Sequence, residues 1–191
     1  MDKFYQYGIN EFWISVNYKA NIIKSYIADL ELPYSIDYIQ EEQPLGTAGS
    51  LYLLKNKIKK DNFILTNCDI ILDIDYIDLF QFHQENKNDI TIIASAQEFK
   101  IPYGVCEVSD GELIYIKEKP ELKYLVNTGM YVIKTELLEL IPNNQFFHAT
   151  DFIKKAKEKG KTIKVYPISS ESWIDIGQWG EYKKAIERFK V

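Results

Sequence analysis

The sequence predicts an α/β protein: a largely parallel sheet with helices on its faces, carrying an antiparallel insert in its second half. Three observations predict it. Between residues 12 and 96, short β-branched runs alternate with helix-spaced apolar stretches in the order strand, helix, strand, helix, strand, helix, strand. Parallel neighbours need crossovers of that kind. Past residue 100, two strand-like runs flank Ser109-Asp110-Gly111, whose Asp-Gly pair favours a tight hairpin turn.

Phe12-Trp13-Ile14-Ser15-Val16 is the first strand, and Ala20–Leu30 follows as a helix with Ile22, Ile23, Tyr26, Ile27 and Leu30 at helical spacing. Pro33 separates it from an alternating strand, Tyr34–Ile39. A turn-rich QPLGTAGS precedes a short helix around Leu51–Ile58. Phe63-Ile64-Leu65 reads as a strand covered on both faces. A helix over Asp75–Asn86 presents Ile77, Leu79, Phe80 and Phe82 for packing, and Asp89–Ala96 is the next strand. Val126–Ile133 is a strand with Gly129 inside it, where a glycine marks a close backbone approach. Helices are predicted near Thr135–Leu140, Ala149–Lys159 and Gly177–Phe189, with a strand at Thr162–Tyr166. No repeat, low-complexity segment or flexible linker interrupts residues 1–191, so one domain is expected.

Composition narrows the function classes. Hydrophobic residues make up 46% and charged residues 27%, ordinary values for a soluble protein. A net charge of −5 without a block of Lys or Arg gives no nucleic-acid surface. Nothing resembles a signal peptide or a membrane span, so a cytoplasmic location is expected. Cys68 and Cys106 lie inside apolar runs and are expected as buried free thiols.

The stretch NFILTNCDI carries the first chemical signal. An apolar run ends on Asn67-Cys68-Asp69, residues that a buried strand does not want. Ligands of open α/β sheets sit at that strand edge. Three other stretches stand out: PLGTAGS at 44–50, Glu118-Lys119-Pro120, and WIDIG at 173–177. Each has an ordinary structural explanation alone, as a turn, a helix cap or a solvated strand end. Together they suit one chemistry. Two carboxylates at strand ends fit a hard cation such as Mg²⁺, which completes its shell with phosphate oxygens and water. A glycine-rich turn lets backbone N–H groups and a flat base approach, and a lysine adds positive charge for a phosphate. His83 and His148 have no Cys or His partner at metal spacing and read as structural.

In order along the chain, EEQPLGTAGSL, LTNCDI followed by FHQEN, YGVCEV, IKEKP, LVNTGMYVI and SWIDIGQWGEY resemble the sugar-phosphate nucleotidyltransferases, over about Val16–Ala185. The likeness is greatest to the mannose-1-phosphate guanylyltransferase and glucose-1-phosphate thymidylyltransferase branches. The resemblance implies a Rossmann-like, GT-A-like mixed sheet flanked by helices. It implies attack of a sugar-1-phosphate on the α-phosphorus of a nucleoside triphosphate, with Mg²⁺ as cofactor. Carried over, Pro44, Leu45, Gly46 and Thr47 would lie against the nucleotide. Asp69 and Asp175 would hold the metal, and Lys119 would contact the sugar phosphate. Tyr103, Gly104, Glu118 and Asn127 would line the sugar pocket.

Two departures qualify what the resemblance implies. Family members place glycine before the metal-binding Asp, where this chain has Cys68. They also open with a strand, a Gly-Gly-x-Gly-Thr-Arg phosphate loop and a Lys-Pro segment, none of which this sequence contains. An N-terminally truncated fold, impaired catalysis and association of copies through exposed strand edges are therefore expected. Two other functions compete: a non-catalytic nucleotide-sugar-binding or regulatory subunit, and a metal-dependent GT-A-type glycosyltransferase. The paired EKP and WIDIG motifs disfavour the latter.

Overall fold

The computed structural model describes residues 1–177; the helix expected over Gly177–Phe189 lies almost wholly outside the described residues. Five α-helices and ten strands are described: α1 (Asp2–Gln6), β1 (Glu11–Val16), α2 (Ala20–Ala28), β2 (Ser35–Gln40), α3 (Gly46–Gly49), β3 (Asn62–Thr66), β4 (Ile70–Leu72), α4 (Tyr76–Glu85), β5 (Ile90–Lys100), β6 (Val105–Ser109), β7 (Glu112–Lys117), β8 (Glu121–Lys134), α5 (Ala149–Glu158), β9 (Ile163–Ile168) and β10 (Trp173–Asp175). The α/β class and the mixed sheet agree with the expectation. The larger sheet has the order β3-β8-β5-β9. The described residues cluster into two units, one of residues 1–65, 75–91 and 131–164, the other of residues 66–74, 92–130 and 165–177.

In the first unit β1 and β2 pair in parallel, from Glu11 opposite Ser35 to Val16 opposite Gln40, through the crossover α2. Among the described residues they form a two-stranded sheet of their own, and β3 ends the larger one. That topology corrects two expectations. Phe63, Ile64 and Leu65 are half-buried rather than covered on both faces, because β3 is a terminal strand. The apolar stripe of α2 faces outward, with Ile22 64% and Tyr26 66% exposed. Two strands alone offer too narrow a face to bury a helix. Ile77, expected to pack, is likewise exposed in the first turn of α4, whereas Leu79 is fully buried.

The core of this unit is made where α3 and α5 meet. Leu45, Ala48, Leu51 and Leu54 bury one side, and Leu137, Leu138 and Ile141 another. Ala149, Phe152 and Ala156 bury one stripe of α5 at positions i, i+3 and i+7. The stretches expected as helices at Leu51–Ile58 and Thr135–Leu140 are 3-10 turns, Ser50–Leu54 and Thr135–Leu140. Asp75 caps α4 by accepting from the N–H groups of Ile77 and Asp78 at 2.8 and 3.3 Å.

Polar side chains buried in this unit are mostly paired; the Asn88 Oδ1 atom is buried without a hydrogen-bond partner among the described residues. His83 is structural, as expected: its Nδ1 meets Thr91 Oγ1 at 2.8 Å and its Nε2 meets Asn62 Oδ1 at 3.1 Å. Asn88 Nδ2 donates to the same Thr91 oxygen at 2.9 Å. Asn62 Oδ1 can only accept, so the neutral ring carries its proton on Nε2, and Nδ1 accepts from the Thr91 hydroxyl. Asp89, which nothing in the sequence singled out, accepts from Lys134 Nζ at 2.9 Å and from the Thr162 N–H at 2.7 Å. Burial works to raise the Asp89 pKa, but those two hydrogen bonds and the charges of Lys134 and Lys161 hold it below the usual carboxylate range.

In the second unit β6 and β7 form the expected hairpin, with Val108 opposite Leu113 and a bulge between Glu107 and Val108. Both strands are exposed along their whole length. Strands β4 and β10 pair antiparallel, from Leu72 opposite Trp173 to Ile70 opposite Asp175. Cys68 and Cys106 are free but exposed, contrary to expectation: one sits in the turn after β3, the other in the hairpin.

Candidate functional site

Asn67-Cys68-Asp69 is a turn between β3 and β4, so the strand ends at Thr66 and the three polar residues are never asked to enter a core. The short β4–β10 ladder then brings the two predicted carboxylates together. One rung past the Asp175–Ile70 pair, the Ile176 N–H donates to the Asp69 carbonyl at 2.8 Å. The chain turns at Gly177, whose N–H donates to Asp175 Oδ1 at 3.0 Å.

A Cβ placed on Gly177 would stand 2.9 Å from Asp69 Oδ2 and 3.1 Å from Asp175 Oδ1. Both carboxylates thus reach one point above a glycine that leaves them room. Among the described residues, no lysine or arginine forms an ion pair with either. Two like charges held that close, Asp69 exposed and Asp175 half-buried, match the donor set of a hard divalent cation, which takes one or two carboxylates and fills its other positions with phosphate oxygens and water.

Tyr103, Gly104, Glu118 and Lys119 are assembled at the base of the β6–β7 hairpin. The Lys119 N–H donates to Tyr103 O at 3.2 Å, and the Ile101 N–H to Pro120 O at 3.1 Å, closing the hairpin neck. Glu118 Oε2 lies 3.1 Å from where a Gly104 Cβ would be, so Gly104 gives the carboxylate its place. Lys119 takes φ +43°, a left-handed conformation uncommon for a side-chain-bearing residue. Glu118, Lys119 and Tyr103 are all exposed, Tyr103 by 74%. Asn127 on β8 is also exposed, and its Oδ1 accepts from the Gly129 N–H at 3.1 Å.

Pro44, Leu45, Gly46 and Thr47 belong to the first unit. There the glycines answer to the protein's own backbone. A Cβ on Gly46, which has φ +76°, would stand 2.9 Å from Phe147 O, and one on Gly49 would stand 2.6 Å from Gln145 O. Leu45 is a core residue, 1% exposed, so its side chain is turned away from any ligand; its carbonyl accepts from the Phe147 N–H at 2.9 Å. The Thr47 hydroxyl accepts from the Ala149 N–H at 2.9 Å, at the first turn of α5. Pro44, Thr47 and the edge of Gly46 remain accessible.

Sequence reasoning passed over Asn67 and Gly177 as site residues and treated Gly129 only as a structural signal. For Gly129 the signal was sound: a glycine inside a strand. It has φ +86°, and the Asn67 side chain lies against it.

The Nucleotidyl transferase family profile matches residues 1–190. The chain is 32% identical over 179 residues to a putative mannose-1-phosphate guanyltransferase of Sulfolobus acidocaldarius, covering 92% of this chain and 49% of that protein. It is 30% identical over 181 residues to the mannose-1-phosphate guanylyltransferase catalytic subunit beta of Dictyostelium discoideum, covering 90% and 49%. The chain thus spans about half the length of these curated relatives. Among solved structures, HddC from Yersinia pseudotuberculosis complexed with GMP-PN is similar, with a TM-score of 0.73 and 27% identity over 99% of this chain and 83% of that one.

Proposed function

The chain belongs to the Nucleotidyl transferase family, and from that premise we propose that it serves nucleotidyl transfer from a nucleoside triphosphate to a sugar-1-phosphate, giving a nucleotide sugar and pyrophosphate. The observation that carries this reading is the convergence of Asp69 and Asp175 over Gly177. Asp69 and Asp175 would hold Mg²⁺, which when bound neutralises phosphate charge and polarises the α-phosphate.

The protein's own residues then position the substrates, which supplies most of the catalysis in phosphoryl chemistry. Glu118 accepts hydrogen bonds from sugar hydroxyls, and Asn127 binds a further hydroxyl through its amide. Lys119 pairs with the sugar phosphate as it approaches in line. That phosphate is already anionic, so no general base is needed, consistent with a His83 ring engaged on both nitrogens inside the fold. The exposed rim of Pro44, Gly46 and Thr47 meets the base. The guanylyl relatives and the GMP-PN complex of HddC support a guanine nucleotide as the first to test.

Impaired turnover by residues 1–191 alone is part of this proposal, and a non-catalytic nucleotide-sugar-binding role is the second reading. A thermal melt in Mg²⁺ against GDP-mannose, UDP-glucose, dTDP-glucose and CDP-glucose tests the site itself. A ligand at about 100 times its Kd adds roughly 2.7 kcal/mol, or about 5–10 °C for a chain of this size. A shift confined to GDP-mannose supports the assignment. A cooperative melt that no nucleotide sugar moves refutes it. Pyrophosphate release from GTP and mannose-1-phosphate then separates enzyme from binding subunit.

A further inference from the structure

We propose that Asn67, seated against Gly129, is the positioning residue that aims the Asp69 carboxylate at Asp175; the inference rests on the metal-holding role given to that pair. The turn that carries Asp69 is exposed, yet its main chain is fixed at both ends. The Asn67 N–H donates to Gly129 O at 3.0 Å, and the Asp69 carbonyl accepts from Ile176 at 2.8 Å. The Thr66 hydroxyl donates to Asn67 O at 3.0 Å. What fixes the turn sideways is the Asn67 side chain. A Cβ on Gly129 would stand 2.7 Å from Asn67 Nδ2, 3.0 Å from Cγ and 3.5 Å from Cβ, so the flat amide covers the bare Cα.

Gly129 uses both properties of glycine at one place: the missing Cβ makes the seat, and φ +86° bends β8 to offer it. Its N–H is held by Asn127 Oδ1, so the seat is tied to the residue assigned to a sugar hydroxyl. Asn67 is exposed and adds nothing to the core. A seat shaped for it therefore serves the orientation of the turn rather than burial. One side chain links the sugar-holding strand to the metal-holding carboxylate and sets the register between them.

Mn²⁺ alone, titrated into the chain and followed by water-proton relaxation, reads the aim of Asp69 without turnover. Asn67→Ala is expected to weaken Mn²⁺ binding about 10–100-fold, the usual cost of losing a group that orients a ligand. Gly129→Ala, which evicts the amide, is expected to do the same. In the double variant the two losses should not add, because the evicted side chain is already gone; backbone strain at φ +86° is common to both backgrounds and cancels in the cycle. Wild-type affinity in Asn67→Ala, or fully additive losses, overturns this inference while leaving the metal assignment standing. Absence of Mn²⁺ binding by the wild-type chain overturns the metal assignment and this inference together. If Gly129→Ala does not melt cooperatively, Asn67→Ala decides alone, since trimming an exposed side chain spares the fold.

Discussion

Replacing Asp69 by Asn should stabilise the metal-free protein while destroying its response to Mg²⁺. The two carboxylate oxygens stand 2.9 and 3.1 Å from one point above Gly177, which places them within about 6 Å of each other. Two unit charges at that distance repel by about 0.7 kcal/mol in bulk water and by roughly 3 kcal/mol at an effective dielectric of 20. Asp69 is exposed and Asp175 half-buried, so the repulsion sits near the lower figure, and salt near 0.1 M reduces it further. The substitution keeps the shape of the side chain and leaves the Asp69 carbonyl free to accept from Ile176 as before. A gain of about 0.5 kcal/mol at low salt corresponds to a rise of about 1–2 °C in Tm for a chain of this length. The assay is a pair of melts at low ionic strength, with and without Mg²⁺. Wild type should gain stability on adding Mg²⁺, whereas Asp69→Asn should begin higher and stay there. A variant that melts below wild type without metal, or one still raised by Mg²⁺, would refute the claim that this pair is held strained for a cation.

Two further outcomes test the framework. Gly49→Ala should cost about 1–3 kcal/mol through overpacking, because its Cβ would stand 2.6 Å from Gln145 O and 3.0 Å from Leu45 Cβ; an unchanged denaturant midpoint would mean that segment 145–148 yields freely. Burial first, and the Lys134 charge second, hold the His83 pKa below 6.5 against the attraction of Asp89. Below pH 6.5 the unfolded chain takes up a proton that the folded protein refuses, so Tm should decline from there toward the folded pKa and then level off. Melts from about pH 7.5 to about pH 5 should show this slope in wild type and a flatter one in His83→Gln; matching slopes would remove His83 as the cause.

The sequence by itself determined the order of the longer elements, because period-2 and period-3.6 patterning and the Asp-Gly turn are local properties, but it gave no sign of the three-residue strands β4 and β10. It also singled out Asp69 and Asp175 as carboxylates at the ends of apolar runs, while Glu118 and Lys119 gained their expected roles through the family resemblance. Tertiary structure decided what those residues meet. Residue 177 looks like a helix-flanking glycine until the β4–β10 ladder brings Asp69 across to it. Gly46 and Gly49 promised room for a ligand, but the 145–148 backbone, about a hundred residues away in sequence, takes that room. The same reason explains the exposed face of Ile22 and Tyr26, where periodicity states which side of a helix is apolar but burial depends on how many strands stand beneath it, whereas Ile77 lies off the stripe of Tyr76, Leu79 and His83 that α4 buries. Asn67 was read as a strand-end residue, and only the left-handed turn at Gly129 shows what it leans on. Local patterns set backbone and chemistry, and long-range packing sets distance, which is the quantity a metal site depends on.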